Sequence, residues 1–267
     1  WGTGFGNRKF ISNLIIPKDK KFTIGKNGIL IIEPGGTIDI KGTLVNNGKI
    51  VDNNLEGTID NDYTLGFNYT LKNDLVISTD KTLTIAKGKT LNLSDKTLTI
   101  NKGGKLKEEG TISGKIVDKN LEQDTGTLDN DYTLCFNYTL NKDLIIADGK
   151  TLTIKKGGFL NILKKQTLTI NEGGKLVIEE GGKFSGRIVD KNFEQDTGRL
   201  DKDYTLNFDY MLNKDLVISS DKTLTIPKGI SLILLNSTKL TINKGGKLAR
   251  EGTISGKIVD KNLEQDT

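Results

Sequence analysis

The chain has 267 residues, and 39 basic against 34 acidic side chains leave a formal charge of +5 with no histidine. The charges are spread evenly in mixed sign, which argues against the single-signed patch of a nucleic-acid binder. An apolar fraction of 34% beside 27% charged residues points to a thin core rather than bulk disorder. Without histidine, and with Cys135 as the one cysteine, Ser/His/Asp and Cys/His nucleophilic sites, zinc clusters and an internal disulfide are all excluded. Cys135 reads as a buried apolar substitute in preference to an intermolecular thiol. No apolar run approaches the roughly 18 residues of a membrane-spanning helix.

Trp1 to Lys9 is glycine-rich and reads as irregular. Aliphatic or aromatic positions then recur every eight residues at Leu14, Phe22, Leu30 and Ile38, forming a divergent opening unit over 1–47. A larger repeat starts with GKIVDNNLE at Gly48 and returns as GKIVDKNLEQDT at Gly114, GRIVDKNFEQDT at Gly186 and GKIVDKNLEQDT at Gly256. These starts delimit units at 48–113, 114–185 and 186–255, with 256–267 opening another. After each start comes a DYTLxFxYxL block (Asp62 to Leu71, Asp131 to Leu140, Asp203 to Leu212), then DLVIS or DLIIA, then blocks of KTLTI type.

The clearest stretch is Lys142 to Gly181, five eights whose third and fifth residues are always aliphatic: Leu144 and Ile146, Leu152 and Ile154, Leu160 and Ile162, Leu168 and Ile170, Leu176 and Ile178. Two inward residues separated by one polar residue make a short period-two strand, and the Gly-, Lys- and Asn-rich remainder makes a corner. No single eight buries enough apolar surface to fold alone, so stability must come from stacking, as in solenoids. The unit from Gly114 to Gly186 spans 72 residues, or nine eights. Three strands per 24-residue coil divide nine evenly and keep equivalent faces in line, whereas two per coil would not.

The expectation is an all-β parallel β-helix (β-solenoid) running continuously over 1–267, right-handed, with about 24 residues and three short strands per coil. Stacking at 24 places Leu152 on Leu176, Ile154 on Ile178, Leu160 on Phe184, Phe136 on Leu160, Phe184 on Phe208, and Leu232 in that last column.

Candidate chemistry is sparse. Asp60, Asp62, Asp129, Asp131, Asp201 and Asp203, with the acidic residues of the EQDT segments, recur in every unit, whereas an active site is built once; they read as solvated turn residues. A calcium role has suitable oxygen ligands, but neither an EF-hand loop nor the calcium β-roll nonapeptide is present. The Thr-x-Thr pairs Thr82/Thr84, Thr97/Thr99, Thr151/Thr153, Thr167/Thr169 and Thr223/Thr225 would face outward. An ice-binding array would use such threonines, but their discontinuity favours plain β propensity. Tyr69, Tyr138 and Tyr210 are the candidate glycan-contact aromatics, with burial the favoured alternative. The paired glycines read as conformational corners, and no cofactor motif is present.

The copied LTI blocks resemble the repeat-rich right-handed parallel β-helices of surface and adhesin-like proteins. The resemblance is to a style of repeat and carries no functional residue over. It implies an extracellular or surface-displayed structural protein without enzymatic duty, a filament, layer or appendage built by self-association of solenoid subunits. The sequence stops after EQDT, where GTLDNDYT follows in an earlier copy, and an uncapped coil of this kind invites another strand, so either a partner subunit covers it or the chain is a fragment of a longer protein. The alternative reading is a β-helix that binds or cleaves surface polysaccharides.

Overall fold

The computed structural model describes residues 8–263, with side chains from residue 11 onward. Most of the Trp1 to Lys9 opening and the final EQDT lie outside the described residues; Arg8 and Lys9, expected to be irregular, begin the strand Arg8–Ile16. The chain divides into two compact units, residues 1–122 and 123–267. Each is a parallel β-solenoid with three strands per turn.

The second unit shows how the sequence builds a coil. Thr151–Ile154 pairs with Tyr132–Leu134 on one side and Lys175–Ile178 on the other, with Leu152 opposite both Tyr132 and Leu176. Phe159–Ile162 lies between Asn137–Leu140 and Lys183–Ser185. Leu144–Ile146 lies between Thr127–Leu128 and Thr167–Ile170. Leu144, Leu152, Leu160, Leu168 and Leu176 are all buried, and so are the second aliphatics from Ile146 to Ile170; Ile178 is half-buried. The period-two pattern inside each eight therefore fills one continuous interior.

The coil length is not fixed at 24. In the second unit the pairing offset is 18 residues at Thr127↔Ile145, 20 at Tyr132↔Leu152 and 22 at Asn137↔Phe159, before settling at 24 for the next three strands. The same progression repeats from Arg199↔Val217 through Tyr204↔Leu224 to Tyr210↔Leu232. The cause is the DYTLxFxYxL coil, where either a connection shortens (two residues at Cys135 and Phe136) or a strand does (two residues at Tyr204–Thr205), while the regular coils use four-residue strands and connections (Thr151–Ile154, then Lys155 to Gly158).

This shortening corrects two of the expected columns. Leu160 is paired by Tyr138 rather than Phe136, and Leu232 by Tyr210 rather than Phe208. The displaced phenylalanines fill the corners instead, and Phe136 is fully buried. The other stackings hold: Leu160 faces Phe184, Ile154 faces Ile178, and the rings of Phe184 and Phe208 meet edge to face with centroids 5.6 Å apart.

The ladders do not run unbroken through either unit. In the second unit one face ends its first ladder at Arg187–Asp190 and begins another at Arg199–Leu200. In the first unit the ladder through Arg8–Ile16 and Ile29–Ile40 ends at Lys49–Asp52, and the next opens at Gly57–Ile59. Both breaks fall within the IVDxN segments, so the 70-residue repeat of the sequence is a repeat of seams.

Candidate functional site

Each seam carries the same polar latch. In the first unit Oδ1 of Asp52 accepts from the backbone N–H of Asn54 (3.0 Å) and from its side-chain Nδ2 (2.9 Å). The Asn54 amide then reaches the previous coil: its Oδ1 accepts the Gly35 N–H (2.7 Å) and its Nδ2 donates to the Gly36 carbonyl (3.0 Å). Asp118 and Asn120 do the same to Gly103 and Gly104. In the second unit Asp190 and Asn192 hold Gly173 and Gly174, and Asp260 and Asn262 hold Gly245 and Gly246.

The glycine pairs are required by this contact. The first of each pair has φ between 77° and 83°, left-handed backbone that side chains disfavour. The second sits so close to the preceding coil that a Cβ on Gly174 would stand 2.8 Å from the Ile146 carbonyl oxygen, and one on Gly36 would stand 2.5 Å from that of Ser12. Both elements were visible in the sequence as recurring words. What was missed is that the Asp-x-Asn of one word is the partner of the Gly-Gly one coil earlier.

Tyrosines close the latches from the following coil. Tyr63 donates to Oδ2 of Asp52 and Tyr204 to Oδ2 of Asp190, each at 2.5 Å. Tyr69 accepts the Asp52 N–H (3.4 Å) and Tyr210 the Asp190 N–H (2.9 Å). Tyr210 also donates to Glu194 (2.9 Å), and Phe193 stacks on Tyr204 and meets Tyr210 edge-on, at 5.2 and 5.1 Å between centroids. Tyr69, Tyr138 and Tyr210, the candidate glycan contacts, are all buried, so none offers an open ring face to a sugar.

Burial sets the electrostatics of the seam. Desolvation raises the Asp52 carboxyl above its ordinary range although Tyr63 and Asn54 both donate to it. Glu194 is raised for the same reason, against the lowering effect of the Tyr210 bond. The hydroxyls of Tyr63, Tyr204 and Tyr210 are pushed far above the usual phenol value, first by burial and then by the carboxylate beside each. The tyrosine hydroxyls therefore stay protonated, as hydrogen-bond donors suited to holding coils together.

The recurring aspartates of the DYTL blocks are also structural. Asp62, Asp131 and Asp203 accept the first backbone N–H of the next coil at Thr82, Thr151 and Thr223 (2.8 to 2.9 Å). Asp74, Asp143 and Asp215 do this at a second corner for Thr97, Thr167 and Lys239. Asp60 and Asp201 accept from Ser78 and Ser219 hydroxyls, and Asp129 accepts from Gln123. They are staples rather than loose turn residues. Among the described residues no three His, Cys, Asp or Glu side chains gather as a metal site would need.

The outward threonines stack in pairs that the next rung interrupts, and form no continuous column. Thr153 lies between Thr133 and Val177, Thr169 between Ile145 and Val189, and Thr225 between Thr205 and Ala249. Cys135 is half-buried. No helix among the described residues is long and apolar enough to cross a membrane.

One groove opens in the second unit, where the edge strand Lys175–Ile178 faces the start of the next ladder at Tyr204–Thr205. Its volume is about 380 Å³, and Glu172, Lys175, Gln195, Lys202, Asp203 and Asn207 contribute to its lining. Asn207 donates across it to the Leu176 carbonyl (2.8 Å). The corresponding positions in the other DYTL blocks are Gly66 and Cys135, so this bridge belongs to one seam alone.

Compared with known proteins, the chain matches no family model and no curated protein at a significant level.

Proposed function

We propose that the protein is a non-enzymatic structural protein, displayed outside the cell or on its surface, that builds a fibre, layer or appendage by association of β-solenoid subunits. The observation supporting this is the fourfold latch at Asp52, Asp118, Asp190 and Asp260. The side chains that could have served chemistry are committed, copy after copy, to joining one coil to the next. This is the economy of a scaffold, and it matches the style of repeat seen in adhesin-like surface proteins. Electron microscopy of the native material, with sedimentation of the purified chain over rising concentration, tests it. Joined or laterally packed particles are expected; a strict monomer at every concentration overturns the proposal.

The groove over Lys175–Ile178 favours a second reading, recognition of a surface glycan. Its mixture of amides, carboxylates and lysines could hydrogen-bond sugar hydroxyls. A glycan array read against Asn207→Ala and Asp203→Ala variants tests this, and absence of any saturable sugar binding removes it.

A further inference from the structure

One face of the solenoid carries an outward column of β-branched residues that keeps its character from copy to copy. On the face built by Leu144–Ile146, Thr167–Ile170 and Arg187–Asp190, the residues alternating with the buried ones are Ile145, Thr169 and Val189, stacked in register on successive rungs. The next ladder of that face repeats the order with Val217, Thr241 and Val259, and the first unit has Val76, Thr99 and Val117. All of these side chains are only half-buried. The other two faces do not hold to one pattern. Lys107 takes the place of Val177 on one of them, and Asn161 takes that of Ile233 on the other.

Beside this column the charge runs from acid to base along each ladder. Asp143, Thr167 and Arg187 occupy successive rungs at the strand starts, as do Asp215, Lys239 and Lys257, and Asp74, Thr97 and Lys115. The terminal member of each series, acidic or basic, is exposed. Such a surface is complementary to itself when turned end for end about the strand direction. That rotation sets Ile145 of one copy against Val189 of a second, Thr169 against Thr169, and Asp143 against Arg187. Shifted by one ladder, it sets Asp143 against Lys257 and Arg187 against Asp215. Turning about the ladder direction instead brings Arg187 against Lys191, which follows the same strand, and the like charges repel.

We propose that this face is the contact by which two copies of the chain pack side by side with their ladders running in opposite directions, β-branched columns in the centre and acid–base pairs along the edge. The pairing rests on the structural reading and deepens it, by naming the surface and the orientation through which subunits associate. One three-rung block is only about 14 Å tall at the usual strand spacing, too small for a stable pair by itself. Repetition of the block in the sequence supplies the remainder.

Sedimentation velocity of the full chain over rising concentration is the direct test. Thr99→Lys, Thr169→Lys and Thr241→Lys together place a charge at the middle of each column, and association should weaken by about tenfold or more. The control variant Thr84→Lys, Thr153→Lys and Thr225→Lys alters a neighbouring face and should associate as the parent does; circular dichroism confirms that both variants fold. Charge reads the orientation. Lys115→Glu, Arg187→Glu and Lys257→Glu together set acid against acid and should weaken pairing, and adding Asp74→Asn, Asp143→Asn and Asp215→Asn, which keep the backbone caps, should restore it in part. Association indifferent to the column lysines overturns the proposal, assigns this face to a different occupant and leaves the structural reading standing. Acidic variants that pair as well as the parent, or that the asparagines fail to rescue, overturn it as well. A parent chain that stays monomeric at every concentration overturns both readings.

Discussion

The side chain of Asn192 grips both exposed peptide groups of the Gly173–Gly174 corner, accepting from the Gly173 N–H at 2.8 Å and donating to the Gly174 carbonyl at 3.2 Å. Asn192→Ala removes the side-chain partner of both groups and one of the two bonds to Asp190 Oδ1, and should cost about 1–3 kcal/mol of stability. Asn192→Asp should cost more, since it puts a second carboxylate beside Asp190 and gives up the donor. Chemical denaturation of the two variants gives the ranking, and an aspartate variant as stable as the parent contradicts the latch.

Steric and conformational demands on glycine separate cleanly in the first unit. A Cβ on Gly110 would lie 2.3 and 2.4 Å from the Lys89 and Ala86 carbonyl oxygens, although the residue lacks positive φ. Gly88 has φ 72° with nothing within 4 Å of a Cβ. Gly88→Ala should therefore cost about 1–2 kcal/mol, the ordinary left-handed penalty, and Gly110→Ala distinctly more because two coils must part. Thermal melts of the pair decide it; equal losses would mean that the coils yield at that corner.

The corner aspartates act through one oxygen acceptor, so the charge is dispensable. Asp143 accepts the Thr167 N–H at 2.8 Å, and Asn68 does the same for Thr90 at 3.0 Å. Asp143→Asn should be nearly neutral, while Asp143→Ala should lose about 1 kcal/mol, the scale of a lost backbone cap. Urea midpoints for the two substitutions check this, and an asparagine variant as weak as alanine would assign the effect to charge.

Tyrosine ionisation should report on the integrity of the seams. The folded values of Tyr63, Tyr204 and Tyr210 all lie above the unfolded one. A group with a raised folded value lends stability that is whole below the unfolded value, about pH 10, and is lost as pH climbs beyond it. An alkaline titration followed by tyrosinate absorbance should show these three ionising together with loss of the β signal. Ionisation near the free-tyrosine value in a still-folded chain would show that the rings are accessible.

The regular coils were legible in the sequence because each eight repeats one local rule, two inward aliphatics and a corner, and Leu152 over Leu176 follows from counting. Counting failed at Tyr138 and Tyr210, since connection and strand lengths, which no hydrophobic pattern encodes, shorten that coil and move Phe136 and Phe208 into corners. The latch was opaque for a different reason. Asp190 and Asn192 resemble turn residues until the chain is wound and the glycines some nineteen residues earlier arrive beneath them. Polar partnerships across coils carry no periodic signature of their own, whereas the apolar columns do.

Near-identical strands carry a hazard. KTLTI at Lys81 recurs at Lys96, and a strand that pairs with the wrong copy can still bury leucine on leucine. The interrupted ladders answer it. Because the ladder stops at Asp190 and restarts at Arg199, with Asn192 gripping the Gly173–Gly174 corner, a pairing slipped by one eight to Lys165–Gln166 meets a mismatch. Each seam thus acts as a checkpoint in the folding of a repetitive chain, limiting how far an error in strand alignment can spread.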